Sequence, residues 1–244
     1  MIITDLLDAT LKETAALGRA AGSYIMGISD PSNGGVLEVM DMAPEADAPL
    51  LDTPVLMLHG WLHNWTAWLP MIETLTAAGF QRFIRFNYET IGDELPEIGG
   101  TLDLHVTRAL EQLEADSLHV IGHSLGGALA RYWSQALGGS AVIDQGITLG
   151  GVINGTPYNR LPWLPEVIDT LDPDGELIEI ISGGNDDRSN WTSVAAKQDL
   201  LVPPAYAHLA RARQETVDGV GHVSLLYCPP VLELVSATLS AAQR

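Results

Sequence analysis

Cysteine occurs once in the 244 residues, as Cys228, so no disulfide can form within the chain and nothing marks an oxidising compartment. Lysine is almost as scarce. Only Lys12 and Lys197 accompany ten arginines, against 31 acidic residues, and the formal net charge is -19. Such a surface repels nucleic acid and anionic membranes, so neither is expected as a partner. The acidity itself reads as a solubility device. No apolar run approaches the roughly eighteen residues of a membrane span, which argues against stable membrane insertion. The N-terminal stretch MIITDLLDATLKETAALGRAAG lacks the basic start and apolar centre of a secretory signal. As written, the chain is expected to be cytoplasmic; a mature secreted chain would read the same way. What is plentiful is apolar material, 46% of residues, enough for a sizeable single core.

That material is periodically arranged. Residues 1–22 suggest an amphipathic helix. Residues 29–53 are rich in Pro, Gly, Asp and Ala, with a short strand candidate at 35–41. From Pro54 the pattern becomes regular: strands at 54–59, 82–87, 118–122 and 142–151 alternate with helices at 66–79, 101–116 and 126–138. The first of these helices places Trp68, Leu69, Ile72 and Leu75 on one face. Residues 155–175 are Pro-rich and irregular. ELIEIIS (176–182) and ARQETVDG (212–219) read as further strands, and Pro229-Pro230 opens a last helix to about residue 242. Strands alternating with helices imply an α/β fold, a mostly parallel sheet covered on both faces. The expected organisation is one domain, a catalytic core over 53–244 with residues 1–52 packed on it as a helix and extension.

Gly122-His123-Ser124-Leu125-Gly126 fits G-x-S-x-G. It follows a buried strand and opens a helix, the context in which a sharp turn exposes a serine hydroxyl above the sheet. Glycines two before and two after remove side chains that would clash there. A nucleophilic serine needs a base, and imidazole is the usual one. His119 falls in a strand, and His105 and His208 in helical stretches; these suit packing or surface roles. His123 belongs to the turn, His59 shapes a loop, and His63 lies in the following loop. His222, in the Gly-rich DGVGHVS segment after the last strand, is the best base. The carboxylate that orients it should lie between serine and histidine. Asp186 follows the strand read at 176–182, and with Asp187 it also suits a solvated turn. Asp199 leads straight into Leu-Leu-Val-Pro-Pro and is favoured over Asp186, with the loop after that strand lengthened to reach it. Two backbone amides should face the developing oxyanion: Leu125, just after the serine, and Trp61 in the His59-Gly60-Trp61-Leu62 loop, with Leu62 as the neighbouring alternative.

Together VLMLHGWLHNWTAW, HVIGHSLGGALARYW, QDLLVPPAYAHL and GVGHVSLLY resemble the α/β-hydrolase fold, and within it the compact bacterial triacylglycerol lipases and carboxylesterases, over residues 53–240. The resemblance implies Ser124 as nucleophile, Asp199 as acid and His222 as base, in a serine hydrolase that cleaves carboxylic esters through an acyl-enzyme with no metal or organic cofactor. One segment departs from that family. TLGGVINGT (148–156) carries Gly151, Val152 and Ile153 where such lipases have Thr, Pro and His. Leu62, His63 and Trp163 are candidates to line the substrate site, with a small-molecule or lipid-like ester as ligand. Residues 157–175 leave room for a small flap near Trp163 and Leu164 but not for a folded cap domain. The same triad also serves acyltransferases and perhydrolases, and the fold alone could serve a non-catalytic binding protein. Oligomeric state is not legible.

Overall fold

The computed structural model describes residues 2–28, 37–44, 48–90, 92–158, 170–183 and 190–242. Successive residues of a strand point to opposite faces, and a sheet covered on both sides therefore reads as a continuous apolar run. The strand β2 (Val55–Leu58) shows this directly, because all four of its residues are buried. Leu56 and Leu58 join one apolar cluster with Val120 and Trp133, while Val55 and Met57 join another with Ile121 and Trp68.

The strands are β1 (Leu37–Asp41), β2, β3 (Arg82–Phe86), β4 (Leu118–His123), β5 (Ile143–Leu149), β6 (Asn190–Ala196) and β7 (Arg213–Val217). Among the described residues they form one sheet in the order β1-β3-β2-β4-β5-β6-β7. β1 runs antiparallel to β3, and every other pairing is parallel. From β2 the chain winds outward to β3; from β4 it winds the other way through β5, β6 and β7. The direction reverses between β2 and β4, which opens a crevice at their C-terminal ends. Leu58 is in register with Gly122, so the loop after β2 and the G-x-S-x-G turn emerge side by side.

The helices are α1 (Ile2–Ile28), α2 (Leu69–Ala77), α3 (Leu95–Leu113), α4 (Leu125–Ala136), α5 (Glu176–Ser182), α6 (Pro204–Ala207) and α7 (Pro229–Ala241), with 3-10 turns at Trp65–Trp68, Gly139–Ala141 and Val223–Tyr227. α1 is a long helix whose Ala9, Ala16 and Ala20 are buried. It lies against the turns Trp65–Trp68 and Val223–Tyr227.

Four expectations are corrected. ELIEIIS is the helix α5, not a strand. Ile178 and Ile181 are its buried residues, three apart, and Glu176 and Glu179 lie in the first turn, where the helix dipole favours acids. NWTSVAA is the strand β6, which carries too few large apolar residues to be read as one although Trp191–Ala196 are all buried. The helix expected over 66–79 is a 3-10 turn capped by Asn64, followed by α2 with Pro70 in its first turn. Its inward residues are Trp68, Met71, Ile72 and Leu75, while Leu69 faces solvent. His208 sits just past the short helix α6 in extended backbone rather than within a helix.

Candidate active site

Ser124 occupies the step from β4 to α4. Its backbone stands at φ 55° and ψ −120°, a left-handed conformation that costs a non-glycine residue on the order of 1–3 kcal/mol and persists only where the surroundings enforce it. They do so here. The Ser124 amide donates to the Leu149 carbonyl at 3.1 Å, and the Ser124 carbonyl accepts from Gly127 at 3.0 Å and Val152 at 3.2 Å. A Cβ on Gly122 would overlap the Gly126 carbonyl, and one on Gly126 would overlap the Leu58 carbonyl. Both motif glycines are thus required by close backbone approach. The Leu125 amide is the first of α4 and donates to no group among the described residues.

The loop after β2 closes over this turn. A Cβ on Gly60 would lie 2.9 Å from the Ser124 Cβ and 3.0 Å from His123 Nδ1. Glycine at 60 therefore lets the backbone touch the serine. The Leu62 amide donates to Thr90 Oγ1 at 3.2 Å, whereas the Trp61 amide has no partner among the described residues. Of the two adjacent amides, only that of Trp61 is free. Leu62 itself is held at φ 53°.

His222 and Asp199 converge from the far side. His222 Nδ1 and Asp199 Oδ2 lie 2.6 Å apart, both side chains buried. Asp199 Oδ1 accepts from the amides of Leu201 at 2.9 Å and Val202 at 2.7 Å, so the carboxylate is held by three hydrogen bonds. Asp199 follows directly on β6 by a turn at 197–198; the loop that seemed lengthened is short once β6 is placed. The His222 ring packs at 4.8 Å from that of His123, the residue before the serine. A Cβ on Gly150 would come within 3.2 Å of His222 Nδ1.

Residues 55–180 match the Alpha/beta hydrolase family. The chain belongs to that family. Its fold is similar to that of the Bacillus licheniformis lipase BlEst2: in the propeptide form at a TM-score of 0.68 and 14% identity, over 84% of this chain and 54% of that one, and in the mature form at 0.65 and 13%, over 87% and 100%. Est1E from Butyrivibrio proteoclasticus matches at a TM-score of 0.63 and 17% identity, over 85% of this chain and 95% of its own. An alignment of 124 positions that covers 45% of this chain shows 29% identity to the Subtilisin-like protease SBT1.7 of Arabidopsis thaliana. That alignment covers 16% of the protease's length and carries no argument about activity.

Around the hydrolase's serine turn the remaining histidines are neutral structural parts. Burial holds His59 down at about 4, aided by the neighbouring His63 and opposed by a hydrogen bond to the Gly60 carbonyl. His59 Nδ1 donates to that carbonyl at 2.9 Å, Nε2 faces the Tyr88 amide at 3.4 Å, and the ring stacks on Tyr88 at 4.2 Å. The Tyr88 hydroxyl donates to the His59 carbonyl. His63 is also lowered to about 4, first by burial and then by the positive charge His222 can carry. Its ring stacks against His123 at 5.8 Å. His123 is held well below the ordinary range by burial, with Nε2 3.2 Å from the His222 carbonyl.

Of the substrate-lining candidates, Leu62 is exposed beside the serine turn and His63 is half-buried against His123. Trp163 and Leu164, with most of the segment read as a flap, lie outside the described residues, as do Asp186 and Asp187. Three supporting residues escaped the sequence reading: Asn87, whose Oδ1 accepts from the Trp65 amide at 2.8 Å, Tyr88 and Thr90. All follow the end of β3. Their position at the C-terminal edge of a strand next to the crevice was the signal available for them.

Proposed function

We propose that the protein is a serine hydrolase of carboxylic esters. The observation that carries this reading is a serine held at φ 55° just past the central strand β4, with an imidazole packed at 4.8 Å on the ring of the preceding His123 and bonded at 2.6 Å to a buried carboxylate. His222 Nε2 takes the proton as the Ser124 hydroxyl attacks the ester carbonyl. Asp199 keeps the ring in the tautomer with Nδ1–H and stabilises the imidazolium that forms. The amides of Leu125 and Trp61 meet the developing oxyanion without having to abandon other partners, which is what makes such donors effective. The alcohol leaves with the proton from His222. Water then attacks the acyl-enzyme by the same route, restoring Ser124. Short to medium acyl chains suit a chain whose segment 157–175 is too brief for a folded cap domain.

The experiment is a series of p-nitrophenyl esters of increasing chain length, with Ser124→Ala alongside and a fluorophosphonate probe to label the serine. Expected are hydrolysis of the short esters, labelling of Ser124, and a loss on the order of 10⁴-fold or more in the alanine variant. Wild-type rates in Ser124→Ala would contradict the reading, and activity confined to emulsified long-chain triglyceride would contradict the preference for short to medium chains.

A further inference from the structure

The loop that carries His222 is not held by the core alone. Glu13, halfway along α1, reaches it across 210 residues of sequence. Its Oε1 accepts from the Val223 amide at 2.7 Å and its Oε2 from the Ser224 amide at 2.9 Å. These are the first two amides after His222, and they open the 3-10 turn Val223–Tyr227. A carboxylate bridging the unpaired amides of a turn is a strong, charge-assisted cap. Ser224 completes it, since its hydroxyl accepts from the Gly221 amide at 2.8 Å. A Cβ on Gly221 would lie 2.6 Å from Glu13 Oε2. Glycine before His222 therefore has a specific cause: a side chain there would expel Glu13. Farther along the same helix, Ala16 and Ala20 pack with Val223.

We infer that Glu13 is a positioning residue for His222: by binding the amides of Val223 and Ser224 it fixes where the imidazole stands, and α1 thereby becomes part of the catalytic apparatus. This rests on the assignment of Ser124, Asp199 and His222 above. Other charged or titratable groups around the His222 loop are Asp199, His63 and His123, the Lys12–Asp8 pair of α1 near Gly219, and the Lys197–Asp218 pair at the ends of β6 and β7. Glu13 is the one whose carboxylate binds the backbone next to His222.

The test compares Glu13→Gln, Glu13→Ala and Glu13→Asp with p-nitrophenyl butyrate. It reads kcat and KM separately, and hydrogen exchange at the Val223 and Ser224 amides. Misplacing a catalytic group by about an ångström costs on the order of 100-fold. The alanine variant should therefore lose about 10- to 100-fold in kcat, with KM within about twofold, and both amides should exchange faster. Glu13→Gln keeps one acceptor but loses the charge. It should lose less rate than the alanine variant. Glu13→Asp should recover part of the rate. Gly221→Ala, which displaces Glu13 without altering it, should reproduce the Glu13→Ala defect. Leu11→Ala, on the exposed side of α1, is the neutral control.

A lower melting temperature with unchanged kcat would overturn the inference, leaving Glu13 as structural glue. Failure of all the Glu13 and Gly221 variants to fold would overturn it too. Failure of the underlying assignment is distinguished by Ser124→Ala, which would then keep its rate.

Discussion

Asp199 is an acceptor for three donors at once, and its two oxygens are not equivalent. Oδ2 faces His222, while Oδ1 holds the turn at Leu201 and Val202. Asp199→Asn can keep the second task and not the first, because an amide turned toward Nδ1 sets donor against donor. The expected result is a loss on the order of 10⁴-fold in kcat with a nearly unchanged melting temperature. Asp199→Ala should lose as much rate and, with the buried Val202 amide and the part-buried Leu201 amide left unpaired, also about 1–3 kcal/mol of stability. Retention of most activity in the asparagine variant would return the role to Asp186. Gly60 makes a separate prediction. A methyl there meets Ser124 and His123 at 2.9 and 3.0 Å, so Gly60→Ala must push the loop and its Trp61 amide away. A loss on the order of 100-fold in kcat is expected, with the fold intact by circular dichroism. At this scale the sequence was informative wherever chemistry and backbone geometry coincide: Ser124, His222 and the glycines of the turn announce themselves. The sorting of Trp61 from Leu62 did not, because it depends on Thr90, a residue 28 positions away that takes the Leu62 amide.

The elements around the site differ in how they are held, and α5 is the one most dependent on a single side chain. Arg131 of α4 is buried, donates through Nε to the Ile181 carbonyl at 3.1 Å and through a terminal nitrogen to Gly183 at 2.7 Å, and lies 4.7 Å from the Trp191 ring. It thus satisfies the C-terminal carbonyls of α5 and ties that helix to β6. Arg131→Leu should cost about 3 kcal/mol through two orphaned carbonyls, a fall in melting temperature of about 6–12 °C for a chain of this size. Calorimetry checks this, and a shift under about 2 °C would show that water replaces the arginine. The same neighbourhood explains what the sequence hid. β2 is a continuous apolar run and β4 carries Leu118, Val120 and Ile121 ahead of the G-x-S-x-G turn, so both read as strands at sight. β6 buries Thr192 and Ser193 instead, and such polar residues look like loop until their partners are known; Ser193 Oγ accepts from the Leu209 amide and meets His208. α5 has the opposite disguise: three isoleucines suggest a strand, while the helix is fixed by an arginine 50 residues away. Each error displaced the other, which is why Asp199 seemed to sit beyond a lengthened loop when it closes a short one.

The whole molecule combines two opposed responses to acid. A net charge of -19 repels itself, and protonating carboxylates relieves this. Four histidines, three buried and His63 half-buried, push the other way. His59, His63 and His119 are lowered to about 4 and His123 well below the ordinary range, in each case chiefly by burial. Their folded pKa values lie below the unfolded value near 6.5. Between those limits the unfolded chain takes up protons that the folded chain refuses, so their stabilising contribution is complete above about pH 6.5 and is lost as pH falls toward 4. Carboxylates ordinarily titrate near 4, so from pH 7.5 to 5.5 the histidines should decide the outcome. Each contributes up to about 1.4 kcal/mol per pH unit, or on the order of 3–5 kcal/mol for the four by pH 5.5. The urea midpoint should therefore fall from pH 7.5 to 5.5, although the protein comes no nearer to charge repulsion. Adding 1 M NaCl, which cuts the screening length to about 3 Å, should leave the slope in place, because the cost is desolvation and not long-range charge. His119 is the residue on which to test this, since it lies buried in β4 beside Phe80, at the opposite end of the strand from Ser124. His119→Gln should shallow the pH dependence by about one proton's share without altering the pH profile of hydrolysis. A midpoint that stays flat or rises on acidification would mean that relief of the acidic surface outweighs the buried rings.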